Sequence, residues 1–308
     1  MAAERRAAAR REAGNSFTNS NWRCILNIAR TNFLPRPAKR GEAGRQPRRL
    51  RRILSKLLKN RKNIGSNHTL KENFSNHHMK TVGIIGGLGP ETTAEFYLEL
   101  SFGCYQKNKD RRPGILIWNI PQSYKIEEEV QTETKGEERY IPYLTKAAKM
   151  LEKAGADFLV MPCNTLHIFI EDIRRSVKIP VLSIVEETIK FLKDKKISRV
   201  GILAMPGAIK HKLYGNALKK EGIEQVLPTD FDQAKIGKIV NSIVLSRQNN
   251  RDRKELLKII DMFGKNGVKD VILACTDLQL LILYHPKLRI YDTMKIFADA
   301  TIQEILRD

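Results

Sequence analysis

The sequence predicts an α/β protein of two similar parallel-sheet lobes, related by a pseudo-twofold, with the active site in the cleft between them. Three observations carry that expectation. From Met79 onward, short β-branched runs alternate with helical patterns, the arrangement that builds parallel sheets through crossover helices. One stretch recurs: Val82-Gly-Ile-Ile-Gly-Gly-Leu-Gly89 matches Val200-Gly-Ile-Leu-Ala-Met-Pro-Gly207 in its Val, Gly, Ile and closing Gly. A glycine–cysteine interval recurs as well, with Gly155 eight residues before Cys163 and Gly267 eight before Cys275, each interval filled by an apolar strand. A repeat of about 115 residues is too long for a solenoid unit and fits two duplicated lobes.

Taken in order, strands are expected at 81–85, 114–119, 158–161, 181–184, 200–203, 225–227, 271–274 and 289–291. Helices are expected after Pro90, over 137–153, after Asn164, over 186–193 and after Gly207. Further helices follow over 232–246, 253–263, 277–283 and from Thr293 to the end. The polar, turn-rich segment 127–136 reads as a mobile loop near the ligand. Boundaries are set at 79–195 for the first lobe, 196–292 for the second and 293–308 for a C-terminal helix.

Residues 1–78 are a different kind of polymer. They hold 19 of the 55 basic residues, 4 of the 34 acidic ones and no Asp, so +15 of the net +21 lies there. With Arg doublets, many Asn and Ser and no sustained periodicity, they read as disordered. Three explanations stay open: a start assigned upstream of Met79 as the true initiator, an Arg-rich targeting segment, or a basic arm for nucleic acid or acidic surfaces. The body itself lacks a basic, aromatic-rich patch for stacking bases, so nucleic acid is not expected as a partner. No apolar run approaches the ~20 residues that span a bilayer, so no membrane partner is expected either. Four cysteines without C-x-x-C spacing argue against a zinc site or a disulfide scaffold and suit a reducing, cytoplasmic setting.

Cys163, in Val160-Met-Pro-Cys-Asn-Thr-Leu-His167, and Cys275, in Leu273-Ala-Cys-Thr-Asp277, both stand where a strand should end and a helix begin. Asn164 or Thr165, and Thr276 or Asp277, are candidate N-caps. A thiol at such a helix start is expected to shift toward thiolate. Cys24 lies in the N-terminal segment and Cys104 inside a helix, where packing is the simpler role. Two thiols facing one cleft suit transfer of a carbon-bound proton, one acting as base and the other as acid. A substrate carboxylate would be held by backbone N–H groups, the Thr165 and Thr276 hydroxyls and the Asn164 amide. His167, one turn after Cys163, reads as a hydrogen-bonded supporting residue, and Glu91 as a helix cap or a contact to the substrate amine. The glycines at 83–89 fall as G-x-x-G-G-x-G, and the next strand ends in Trp118-Asn119, so a dinucleotide-binding turn is not indicated.

At these residues the body resembles the aspartate/glutamate racemase family. The stretches that match are Gly86-Gly-Leu-Gly-Pro-Glu-Thr-Thr-Ala94, Asn119-Ile-Pro-Gln122, Pro162-Cys-Asn-Thr-Leu-His167 and Ala274-Cys-Thr-Asp-Leu278. The resemblance implies a cofactor-free amino-acid racemase, often a homodimer, with no metal, aspartate or a related amino acid as its small-molecule substrate and a C-terminal helix packed back on the first lobe. It makes Cys163 and Cys275 the acid/base pair, puts Asn164, Thr165 and Thr276 on the α-carboxylate, and has Gly87 and Leu88 shape the floor. His167, Asp277 and Lys125 are the supporting residues. Three departures weaken aspartate as the substrate: Ser123-Tyr-Lys-Ile126 offers only Lys125 where an Arg is usual, Asn216 stands in place of a Lys, and Met205-Pro-Gly-Ala208 has lost two hydroxyls. Lys210, His211 and Lys212 offer replacement cations. The alternatives are a hydantoin racemase or related two-cysteine isomerase and, outside enzymes, a small-molecule or RNA-binding protein.

Overall fold

The computed structural model describes residues 79–308 apart from 110, 124, 125, 127, 128, 130–135, 245, 246, 283 and 308. The N-terminal segment, Lys125 and most of the 127–136 loop therefore lie outside the described residues.

Two parallel sheets organise the chain. In the first lobe β1 (Val82–Gly86) is flanked by β2 (Ile115–Asn119) and β3 (Phe158–Val160), and a single parallel bridge joins Leu159 to Val181 beyond β3. In the second lobe β4 (Arg199–Ala204) is flanked by β5 (Glu224–Val226) and β6 (Asp270–Ala274), with β7 (Arg289–Asp292) beyond β6. The two orders are the same, with Val181 standing where β7 stands. The strand expected at 181–184 shortens to that bridge because Ser183 accepts from Glu186 N and turns the chain into a helix at Ile184.

The repeated glycines have physical reasons. A Cβ on Gly83 would stand 2.9 Å from Ala156 Cβ, and one on Gly201 would stand 3.0 Å from the Phe263 ring, so each lets the chain that packs on its strand approach closely. Gly155 (φ +93) and Gly267 (φ +75) both take the left-handed conformation that turns the chain out of a helix and into a strand.

Both faces of each sheet are covered, so successive residues enter different cores. Ile84 and Ile202 join Phe96, Phe158, Leu192, Ile272 and Phe297 in an apolar core that runs through both lobes. Their neighbours Ile85 and Leu203 point the other way. Ile85 packs with Leu144, Leu159 and Met161, and Leu203 packs with Ile236, Ile260 and Phe263.

The helices of the first lobe are α1 (Pro90–Lys107), α2 (Ile141–Lys153), α3 (Ile170–Ser176) and α4 (Ile184–Asp194). Those of the second are α5 (Pro206–Lys210), α6 (Gly215–Lys220), α7 (Asp230–Val244) and α8 (Asn250–Lys265). The last helix, α9 (Thr293–Ile305), packs on α1 and α4 of the first lobe. Phe297 stacks on Phe96 with ring centroids 5.6 Å apart, Lys80 N donates to Ile305 O, and Lys80 Nζ pairs with Glu304 at 2.7 Å. Among the described residues no helix is long and apolar enough to cross a membrane.

Candidate active site

Cys163 lies just past β3 and Cys275 just past β6, the equivalent strands of the two sheets. Parallel pairing puts these carboxyl ends on the same edge as those of β1 and β4, the edge where open α/β sheets bind ligands. Cys163 is half-buried, and Cys275 is buried.

The helices expected after the cysteines are shorter than the sequence suggested. Residues Thr165–Phe169 form a 3₁₀ turn leading into α3, and Leu278–Leu280 form another that goes no further. Neither Asn164 nor Asp277 caps its turn with its side chain. The dipole of so short a turn is small, and at Cys275 it loses to desolvation. Burial pushes the Cys275 thiol well above its ordinary range. The Asp277 carboxylate adds to the rise, the Asp277 and Leu278 N–H groups oppose it, and charge on Cys163 raises it further. The expected shift toward thiolate is thus reversed at Cys275.

The Cys163 segment is pinned from two sides. His167 is buried; its Nδ1 lies 2.6 Å from Cys163 O, and Ile184 N donates to its Nε2 at 3.1 Å. Because Nε2 must accept, the ring is neutral with its proton on Nδ1. Burial holds its pKa down at about 4, against a smaller opposing effect of the Cys163 carbonyl. His167 is therefore a positioning residue that ties the cysteine's carbonyl to the start of α4. Asn164 is buried too. Its Oδ1 accepts from Tyr214 Oη at 2.5 Å, its Nδ2 donates to Thr293 Oγ1 at 3.0 Å, and Thr293 Oγ1 donates on to Leu273 O at 2.7 Å. The chain of bonds runs from the Cys163 segment of the first lobe to β6, the strand that precedes Cys275.

On the other side Cys275 Sγ lies 3.8 Å from Asp277 Oδ2, and Asp277 Oδ1 accepts from Thr92 Oγ1 at 3.2 Å. Thr92 sits in the first turn of α1, so this contact also crosses between lobes, as does that of Gln279 Nε2 to Glu95 Oε2 at 3.1 Å. Gly87 (φ +85) gives its N–H to Thr93 Oγ1, and a Cβ there would stand 2.7 Å from Asn119 Oδ1. Leu88 packs on the first-lobe core, as does Cys163. Thr165 Cγ2 lies 3.6 Å from the point a Cβ on Gly207 would occupy, and Thr276 is buried next to Cys275. Glu91 reaches within 4.0 Å of the equivalent point on Gly89, where Asp277 Oδ1 comes to 3.7 Å. Cys104 is wholly buried in α1, and burial raises its thiol to about 11.

The sequence did not single out Thr92, Thr293, Tyr214 or Glu137. Thr92 stands inside a stretch that the sequence did single out, Gly86 to Ala94. The others find their partners at separations such as 50 and 129 residues, which no local pattern encodes. Of the replacement cations, His211 faces a carboxylate, Glu137, with Nε2 at 3.6 Å from Oε1.

Comparison with known proteins speaks to the family and the fold. The model of the Asp/Glu/Hydantoin racemase family matches residues 85–301. The chain is similar to the broad specificity amino-acid racemase RacX of Bacillus subtilis, 25% identical over 233 residues that cover 73% of this chain and 98% of that one. Among solved structures it is similar to an aspartate racemase homologue from Pyrococcus horikoshii OT3, with TM-score 0.62, 26% identity, and 74% of this chain and 100% of that one covered. Picrophilus torridus aspartate racemase, at 24% identity and TM-score 0.62 over 73% of this chain and 94% of that one, shares the fold.

Proposed function

The chain belongs to the Asp/Glu/hydantoin racemase family, and from that premise we propose that it racemises an amino acid without a cofactor, passing the Cα proton between Cys163 and Cys275. The observation that supports this reading is the placement of the two thiols: they follow equivalent strands of two like-ordered sheets, and Asn164, next to Cys163, is bonded through Thr293 to the strand that precedes Cys275. Two like thiols sharing a site do not both ionise cheaply, so in this reading one serves as base while the other keeps its proton, and the two can exchange roles.

In one direction a thiolate on one face takes the Cα proton, and the electron pair of the C–H bond moves into the substrate carboxylate as an enolate. The thiol on the opposite face then delivers its proton to Cα. The enantiomer leaves with the two sulfurs in swapped states. In this reading Thr165, Thr276, nearby backbone N–H groups and the remaining Asn164 amide hydrogen bind that carboxylate as its charge grows. His167 fixes the Cys163 carbonyl and so the direction of its thiol. Asp277 raises the proton affinity of Cys275, which makes its thiolate the stronger base once formed.

The test is incubation in D2O with single L-amino acids, aspartate and alanine among them, and with a 5-substituted hydantoin. Deuterium at Cα of an amino acid, together with the opposite enantiomer, is the expected result. Exchange only in the hydantoin would move the activity to that branch of the family. Near-normal racemisation by Cys163→Ser or Cys275→Ser would overturn the two-thiol mechanism.

A further inference from the structure

Glu137 opens the 3₁₀ turn Glu137–Tyr140 just before α2 and is 5% exposed. Its Oε1 is buried and has no hydrogen-bond partner among the described residues. A carboxylate oxygen withdrawn from water without a donor is costly, and a site that tolerates the cost is one where a ligand can supply the donor. The oxygen lies 3.5 Å from the point where Gly207 would carry a Cβ, and Thr165 Cγ2 lies 3.6 Å from the same point. Glu137 thus stands at the meeting of the lobes, beside the residue two positions after Cys163, in space that the missing side chain of Gly207 leaves open. The imidazole of His211, at 3.6 Å, is beyond hydrogen-bond distance and more than a third exposed.

Two carboxylates stand near the second thiol. Asp277 adjoins Cys275, and Glu91 stands across Gly89 from Asp277. A substrate bringing a second carboxylate would meet like charge on both sides, whereas an ammonium or guanidinium would meet its complement.

We propose that Glu137 is the specificity-determining residue of this site and selects amino acids whose side chain carries a cation. The proposal rests on the racemase reading above and names its substrate class. The side-chain cation donates to Glu137 Oε1 while the α-carboxylate stays with the threonines.

The test uses the full chain and its Glu137→Gln variant, which keeps shape and removes charge. Isothermal titration calorimetry with L-lysine, L-ornithine, L-alanine and L-aspartate is run beside Cα deuterium exchange on the same four. The wild type is expected to bind lysine or ornithine at least tenfold tighter than aspartate. In the variant the lysine-to-alanine affinity ratio should fall about 10- to 100-fold, the range of a charge-assisted hydrogen bond. An unchanged ratio would overturn the proposal in either of two ways. If alanine and lysine weaken together, the carboxylate reads the α-ammonium common to both. If neither weakens and only the melting temperature moves, Glu137 is a structural partner of His211. Glu137-dependent lysine binding without exchange in any amino acid would sink the racemase reading and leave the specificity standing. Exchange in aspartate without Glu137 dependence would do the reverse.

Discussion

Two buried groups titrate in opposite senses, and together they hide a pH dependence that one substitution should expose. His167 has its pKa lowered to about 4, chiefly by burial, so between pH 4 and its ordinary 6.5 the unfolded chain binds a proton there that the folded chain does not. Its contribution to stability is complete above 6.5 and is lost as pH falls toward 4, at about 1.4 kcal/mol per pH unit, or about 3 kcal/mol in all. Asp292, the N-cap of α9, runs the other way. Its side chain accepts from Met294 N at 2.9 Å, yet burial first, with Glu95 and Glu99 assisting, raises its pKa from 3.8 to about 7. Between those values the folded state holds the extra proton, so stability falls as pH rises from 4 to 7. A fully buried carboxyl would account for about 4 kcal/mol; Asp292 keeps some solvent contact, and about 2 kcal/mol is the expectation after that discount. Across pH 4–6.5 the two slopes oppose each other. Asp292→Asn keeps a capping acceptor and removes the titration. Urea unfolding at pH 4.5, 5.5 and 6.5 should then show the variant gaining on the wild type with each step upward, by about 1 kcal/mol over the window. His167→Gln should show the opposite trend. Parallel curves for Asp292→Asn and wild type would refute the assignment.

Three further outcomes follow from packing and exposure. Iodoacetamide at pH 8, read by peptide mass spectrometry, should label half-buried Cys163 before Cys275 and Cys104, whose thiols burial holds protonated; early labelling of Cys275 would contradict its environment. Gly83→Ala should destabilise by about 1–3 kcal/mol in urea unfolding, because the new methyl meets Ala156 Cβ at 2.9 Å and Leu151 Cβ at 3.1 Å, neither free to rotate away. Tyr214→Phe should cost about 1–3 kcal/mol in the same assay, since it strands the buried Oδ1 of Asn164.

Seven of the eight expected strands were legible as short apolar runs whose ends moved by a residue or so, and the eighth, at 181–184, is reduced to the bridge at Val181. The cysteine turns were misread, for a reason visible in their side chains. Asn164 and Asp277 look like caps to any local rule, yet each is occupied by a partner from the other lobe: Tyr214 and Thr293 hold Asn164, and Thr92 holds Asp277. Without a side-chain cap the backbone closes through i→i+3 bonds such as His167 N to Asn164 O and Leu278 N to Cys275 O, which favours 3₁₀ turns over full helices. The thiols themselves were legible because duplication repeated them at a fixed distance from a turn glycine. Glu137 was not, because nothing in a polar segment marks which carboxylate will be buried.

Duplication gave the two cysteines equivalent places and unequal surroundings, and the inequality has a kinetic consequence if the proposed mechanism holds. Cys275 is buried beside a carboxylate, and Cys163 is half-buried on a segment tied to a neutral imidazole. The protonation state that Cys275 favours, the thiol, suits delivery of a proton from its face, so turnover in one direction should start from the more populated form. Enantiomers have equal free energy in water, which forces kcat/KM to be the same in both directions whatever the thiols do. The asymmetry must therefore appear as unequal kcat values offset by unequal KM values. Asp277→Asn removes a charge that raises Cys275, although burial, the larger cause, remains. It should bring the two kcat values closer, by several-fold at pH 7, with the ratio of the two kcat/KM values still at unity when both directions are followed by circular dichroism. Equal loss of kcat in both directions would show that Asp277 acts on the fold and not on the proton affinity of Cys275.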